Sequence, residues 1–171
     1  MRSTSPAALT ERFGIMFERE FDYVCRALRR LGVRDADLKD VAQELFVAVH
    51  DRFHEHGDAQ AVRPWLFSFA LRFAANYRKL ARHRTDLRES VEARIEGPSE
   101  RSEARDLVLR ALSRLDGDRR DVIVMHDLEG FAAADIAAQL TIPVNTVYSR
   151  LRLAREEFRE AVAALQKRAR S

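Results

Sequence analysis

The run Ala133-Ala134-Asp135-Ile136-Ala137-Ala138-Gln139-Leu140-Thr141-Ile142-Pro143-Val144-Asn145-Thr146-Val147-Tyr148-Ser149-Arg150-Leu151-Arg152 carries two helical signals on either side of a short turn. Ala133 to Leu140 predicts a short helix with Ile136, Ala137 and Leu140 on its buried side. Gln139 to Pro143 reads as the turn. Pro143 stands where a second helix begins, and its fixed φ suits a first helical position, where its missing N–H costs nothing. In that second helix Val144, Val147, Leu151, Ala154 and Phe158 recur at +3, +4, +3 and +4, one apolar stripe at helical period. The opposite face carries Asn145, Ser149 and Arg152, flanked by Tyr148, Arg150 and Arg155, and no acidic residue occurs from Val144 to Arg155. A helix–turn–helix whose second helix has an apolar back and a basic, amide-rich front fits a DNA major groove. The plain alternative is a small helical bundle with a solvated basic face.

Composition narrows the class. The chain has 171 residues with 46% hydrophobic content, enough for one core or two small ones. Charged residues make up 33%, yet the formal net charge is only +3, so where the charge lies matters more than its sum. No strand-like alternation persists beyond a few residues, and the pattern is helical nearly throughout. A single cysteine, Cys25, excludes an internal disulfide and fits a reducing cytoplasm. It borders the apolar stripe of the first helix, the setting of an inert packed thiol. No signal peptide is visible, and no apolar run approaches the roughly 20 residues of a spanning helix.

Upstream, Thr10, Phe13, Phe17, Phe21, Val24, Leu28 and Leu31 describe one helix, with Thr10 as its expected cap and Gly32 as its expected end. Asp35 to Phe53 predicts a second, burying Leu38, Val41, Ala42, Leu45, Phe46, Val49 and Phe53. Asp40, Gln43 and Glu44 share its outer face at +3 and +4 spacing, an acidic stripe that is either plain surface or a dock for a basic partner. His50, His54 and His56 pose a metal question. No second ligand pair follows, so no metal is expected. Arg63 to His83 predicts a third helix with Leu66, Phe69, Phe73, Tyr77 and Leu80 as its core stripe. From Ala59 to Thr85 the chain holds no acid, and Trp65, Ser68, Arg72, Asn76 and Lys79 line another face. An aromatic, an amide and several cations on one acid-free helix suit a phosphate backbone and an unstacked base. Asp86 to Ala104 is polar and unpatterned, with Gly97-Pro98-Ser99 inside it, and reads as a linker. The expected fold is therefore all-α: two small helical domains, residues 10–84 and 105–165, joined by a flexible linker over 85–104. Neither domain shows an enzyme signature, a phosphate-cradling glycine loop or a nucleophile–base pair.

Taken together, these motifs resemble the extracytoplasmic-function (ECF) subfamily of the sigma-70 family of bacterial RNA polymerase sigma factors, over almost the whole chain. Asp37-Leu38-Lys39-Asp40-Val41-Ala42-Gln43-Glu44-Leu45-Phe46 resembles that family's region 2.2. Pro64-Trp65-Leu66-Phe67-Ser68-Phe69-Ala70 and the basic helix after it resemble regions 2.3 and 2.4. Ile136 to Leu140 with Ile142 to Leu151, Ala154 and Arg155 resembles region 4.2.

The resemblance implies roles. Asp40, Gln43 and Glu44 would meet the clamp helices of the largest subunit of core polymerase. Trp65, Arg72, Asn76 and Lys79, with the loop from about Phe53 to Pro64, would meet the −10 element. Asn145, Thr146, Ser149 and Arg152 would read or position the −35 element, and Arg150 and Arg155 would hold phosphates. It also implies an anti-sigma factor as partner, no small-molecule substrate, no cofactor, and a cytoplasmic protein that joins the nucleoid in holoenzyme or is held at the membrane by its regulator. Departures exist: Asn145 stands where the family usually has Gly, Ala132 where Ser or Thr usually caps a helix, Asp116 where Pro is common, and Leu153 where a basic residue is frequent. Two other classes fit part of the pattern. A helix-turn-helix regulator would explain the C-terminal unit alone. A sigma-like interaction protein without initiation activity would explain the acidic stripe.

Overall fold

The computed structural model describes residues 6–55, 61–85 and 103–169, and those residues are helical with no strand among them. Helix α1 (Pro6–Arg30) begins four residues before Thr10, so Thr10 lies inside the helix and not at its cap. Its far end matches expectation. Gly32 has φ +100°, its N–H donates to Arg29 O, and the Val33 N–H donates to Leu28 O, the paired closure that satisfies the last helical carbonyls. Val24 and Leu28 of α1 and Leu31 just past its end are fully buried, and the three phenylalanines of α1 edge the core. The Phe17 ring lies 4.8 Å from that of Phe46, and Phe13 lies 5.5 Å from Phe53.

A single tight turn, Asp35–Asp37, leads into α2 (Leu38–Arg52). The turn is tied down by Asp37, whose carboxylate accepts from Arg34 Nε at 2.9 Å and from Tyr77 Oη at 2.5 Å. Leu38, Ala42, Leu45, Phe46 and Val49 of α2 bury against α1 and α3 (Val62–Thr85). The apolar face of α3 differs from the expected stripe. Leu66, Phe67, Phe69, Ala70, Leu71 and Ala74 are buried, Phe73 and Tyr77 are half-buried, and Leu80 is 54% exposed. Two covers produce this shift. The first turns of α3 are enclosed by α1 and α2 and also by Phe131 of the second half, 5.3 Å from Phe67, whereas burial fades toward its C-terminal turns.

The second half holds α4 (Glu103–Leu112), α5 (Gly117–Ile123), a π-helical turn (Val124–Leu128), α6 (Ala133–Leu140) and α7 (Val144–Ala169). The expected linker overlaps Thr85 of α3 and Glu103–Ala104 of α4; its remainder, residues 86–102, lies outside the described residues. Asp116 caps α5, its Oδ2 accepting the Asp118 N–H at 3.3 Å. Arg120, buried, donates to the carbonyls of Leu112, Ser113 and Leu115 at 2.8, 2.9 and 3.1 Å, and so satisfies the frayed end of α4. It also lies so close to Gly32 that a Cβ there would sit 1.9 Å from its Nη1.

The halves dock. One continuous apolar core runs from α1 to α7. Polar pins cross the seam: Arg78 of α3 donates to Asp121 of α5 at 2.7 Å and also to Leu31 O. Glu129, just after the π-helical turn, accepts from Tyr23 Oη at 2.9 Å and from Arg30 at 2.7 Å. Burial and the neighbouring Glu129 carboxylate hold the Tyr23 hydroxyl well above its usual pKa, so it remains a donor.

Candidate nucleic-acid interface

The helix–turn–helix forms as read, with two adjustments at the start of its second helix. Ala132 offers no side-chain cap to α6. At the other end Thr141 adopts a left-handed conformation, φ 55° and ψ 46°, and the Thr141 and Ile142 N–H groups donate to Ala138 O and Ala137 O. A threonine at positive φ is costly, and its retention here shows how firmly the turn is set by the packing around it. Pro143 is the residue before α7, and its carbonyl accepts from Thr146 and Val147, so it caps α7 and does not open it. The stripe Val147, Leu151 and Ala154 is buried, which fixes the roll of α7 and turns the other face outward. Val144, expected in that stripe, is partly exposed at the helix start.

On the outer face Asn145, Ser149, Arg152 and Arg155 are exposed, Thr146 and Arg150 are half-buried, and Tyr148 is 58% exposed. Ser149 Oγ donates to Thr146 O at 3.0 Å, a bond back onto the preceding turn. The arginines are drawn to acids outside the Val144–Arg155 run, two of them from before the turn and one from the next turn of α7. Arg150 pairs with Asp118 at 2.8 Å, and Arg152 with Glu156 at 3.1 Å. Arg155 grips Asp127 through Nη2 at 2.6 Å and Nε at 2.9 Å. That hydrogen bond holds the Asp127 carboxyl below its usual range and raises the already high pKa of Arg155.

The face of α3 is a column built on Phe69. Trp65 is half-buried and meets the Phe69 ring edge-on at 5.2 Å, while the Arg72 guanidinium lies over the same ring at 4.9 Å. Arg72, Asn76 and Lys79 are exposed. At the head of the helix Arg63 donates to Glu20 at 2.8 Å and stacks over Tyr23. Burial pushes the Glu20 carboxyl up, but hydrogen bonds from Arg63 and Arg19 outweigh it and leave the pKa lowered. On α2, Asp40, Gln43 and Glu44 are exposed on one strip. Val47 extends it. It stands three residues after Glu44, is 65% exposed, and is not among the residues the sequence singles out on this helix. Its signal was an aliphatic residue off the buried stripe. His50 packs edge-on against Phe13, 4.9 Å between centroids; His56 lies outside the described residues. No helix among the described residues is long and apolar enough to cross a membrane.

Comparison with known proteins follows this geometry. Residues 105–158 match the family described as Sigma-70, region 4. The chain is 30% identical over 152 residues to the ECF RNA polymerase sigma-E factor of Escherichia coli (strain K12), covering 80% of this chain and 79% of that one. It is 25% identical over 156 residues to the RNA polymerase sigma factor NccH of Alcaligenes xylosoxydans, covering 85% and 84%. Among solved structures, CnrH in complex with the cytosolic domain of CnrY superposes with a TM-score of 0.62 at 27% identity, over 91% of this chain and 90% of that one. The fold is also that of the sigma factor RpoE of Bartonella quintana, solved with the anti-sigma factor NepR: TM-score 0.66 at 23% identity, covering 86% and 96%.

Proposed function

The chain belongs to the extracytoplasmic-function (ECF) sigma factors of bacterial RNA polymerase, and from that membership we propose how its exposed faces divide the work of promoter recognition. Helix α7 enters the major groove at the −35 element. Asn145, Thr146, Ser149 and Arg152 approach base edges, while Arg150 and Arg155 exchange their carboxylate partners for phosphates. The α3 column of Trp65, Arg72, Asn76 and Lys79 takes the −10 element, with the aromatic surface stacking an unpaired base and the cations holding the strand. The α2 strip of Asp40, Gln43 and Glu44, extended by Val47, docks on the clamp helices of core polymerase. The observation that carries the reading is that burial leaves all three faces outward on helices whose opposite sides form the core.

An anti-sigma factor is the expected regulator. The support is CnrH, similar across most of this chain and solved with the cytosolic domain of CnrY. That setting also supports a cytoplasmic location. In vitro transcription with purified core polymerase tests the whole assignment. Promoter-specific transcripts that require the chain are expected. DNA binding without transcripts would make it a helix-turn-helix regulator, and polymerase binding without transcripts would make it a sigma-like interaction protein.

A further inference from the structure

Beside the outer face of α7 lies a cleft of about 490 Å³ between that helix and the π-helical turn. His126 forms one wall, and Tyr148, Leu151, Arg152, Arg155 and Arg159 form the other. No acidic side chain lines it. The carboxylates that serve its cations stand behind them: Asp127 pairs with His126 at 2.7 Å and with Arg155, and Glu156 pairs with Arg152, while Arg159 donates, among the described residues, only to the Arg155 carbonyl, at 3.1 Å. Arg152, Arg155 and Arg159 step along α7 at +3 and +4, so their cations track one side of about 10 Å of helix. This is the length of a stretch of backbone and not of one small anion.

Arg155 stands on the partition between this cleft and an adjoining apolar cavity lined by Val108, Leu112, Ile123 and Phe158, and Asp127 lines the apolar cavity alone. Its carboxylate holds the Nε–Nη2 edge of the Arg155 guanidinium at 2.9 and 2.6 Å. A guanidinium has five N–H donors in a rigid planar fork. The grip uses two and fixes the plane, Nη2 also lies 3.4 Å from His126 Nδ1, and the two N–H groups of Nη1 are left for a second acceptor.

We propose that the cleft between His126 and α7 holds backbone phosphate of the −35 duplex, with Arg159 as a direct contact and Asp127 as the positioning residue that sets Arg155. This rests on reading α7 as the promoter helix. It adds His126, Arg159 and Asp127 to that site. The ligand is a phosphodiester because the cleft presents donors and positive charge with no acid in its lining, because a phosphate can share or take over cations held only by exposed ion pairs, and because it continues the exposed face of α7.

The test uses the full chain assembled with core polymerase, on a promoter selected from a random duplex pool by wild-type holoenzyme. Arg159→Ala should weaken binding on the selected promoter and on its −35 variants alike. It should lower the log–log salt slope by about 0.9, one phosphate's share. Asp127→Asn removes a negative charge next to DNA, so charge alone would tighten binding. Positioning requires the reverse, a loss of about threefold to fivefold, the upper reach of an exposed ion pair. In an Arg155→Ala background the same substitution should no longer weaken binding, because the group it positions is gone. A merely structural Asp127 would weaken both backgrounds, and tighter binding by Asp127→Asn would make it a repulsive neighbour; either result overturns the positioning role. Wild-type affinity and slope in Arg159→Ala would overturn the phosphate cleft. If wild-type holoenzyme selects nothing from the pool, the promoter reading of α7 fails first, and the cleft's ligand with it.

Discussion

Replacing Glu129 by alanine should undock the two halves. Its side chain is 9% exposed and receives two bonds across the seam, from Tyr23 Oη at 2.9 Å and from Arg30 at 2.7 Å. A hydrogen bond to a charged group contributes about 1.5–3 kcal/mol. Arg30 is 31% exposed, so water replaces part of its bond, and the two together are worth about 2 kcal/mol of docking. That is roughly a thirtyfold shift between docked and undocked chain. The shift matters because the docked body is too small for its task. A compact chain of this length has a radius of gyration of about 16 Å. Elements centred near −35 and −10 lie about 25 base pairs apart, roughly 85 Å along straight duplex at 3.4 Å per base pair. On the proposed division of work both cannot be occupied until the halves part, and the docked state would then reduce apparent promoter affinity in proportion to the fraction of chain that is open.

Glu129→Ala should therefore raise the radius of gyration in small-angle scattering. It should also let holoenzyme–promoter complex form at lower chain concentration, by up to that thirtyfold where the wild type is almost wholly docked. Glu129→Gln, which keeps an acceptor but not the charge, should fall between the two. Unchanged dimensions together with unchanged promoter-complex titration in Glu129→Ala would refute Glu129 as a pin.

Three further outcomes are expected. The triple substitution Asp40→Ala, Gln43→Ala and Glu44→Ala, and separately Val47→Asp, should weaken binding to core polymerase with helical content intact, since all four side chains lie off the buried stripe; wild-type core affinity in a pull-down titration would remove the strip from the interface. Arg72→Ala or Asn76→Ala should leave closed-complex formation intact and cut open complex about tenfold for each ~1.4 kcal/mol of lost base capture. Permanganate reactivity of promoter thymines reports this, and a pre-opened bubble should rescue both. Glu20 links stability to pH: its folded pKa is lowered below 4.5, so its contribution is fully present above that value and is lost as pH falls through the folded value. Glu20→Gln should flatten the fall in melting temperature below pH 4.5, and an unchanged acid limb would mean that its ion pairs do not couple to folding.

Much of this architecture can be read in one dimension because helical burial repeats at fixed short intervals. Val24, Leu28 and Leu31, or Val147, Leu151 and Ala154, announce their buried face through spacing alone. Gly32 announces the end of α1 because few other residues accept φ +100°. The start of α1 was misread because a threonine before a run of phenylalanines has the chemistry of a cap whether or not the helix has already begun. Leu80 was misread because periodicity says which side of a helix is apolar, not how far along the helix a neighbour covers it.

The seam between the halves left no such trace, since its pairs are separated by 43 residues for Arg78–Asp121 and 106 for Tyr23–Glu129. The same blindness affects the charge of the candidate site. An acid-free run from Val144 to Arg155 reads as uncompensated positive charge, yet Asp118 and Asp127 reach it from the other side of the turn and Glu156 from the next turn of α7. This does not disarm the face. Exposed pairs of this kind are worth about 0–1 kcal/mol each, because water and salt already compete for both partners. Exchanging the Asp118 carboxylate for a phosphate on Arg150 therefore costs little. What the acids change is geometry: they hold long arginine side chains in place on the outer face of α7, and on the proposed reading this reduces the ordering cost that DNA binding would otherwise carry.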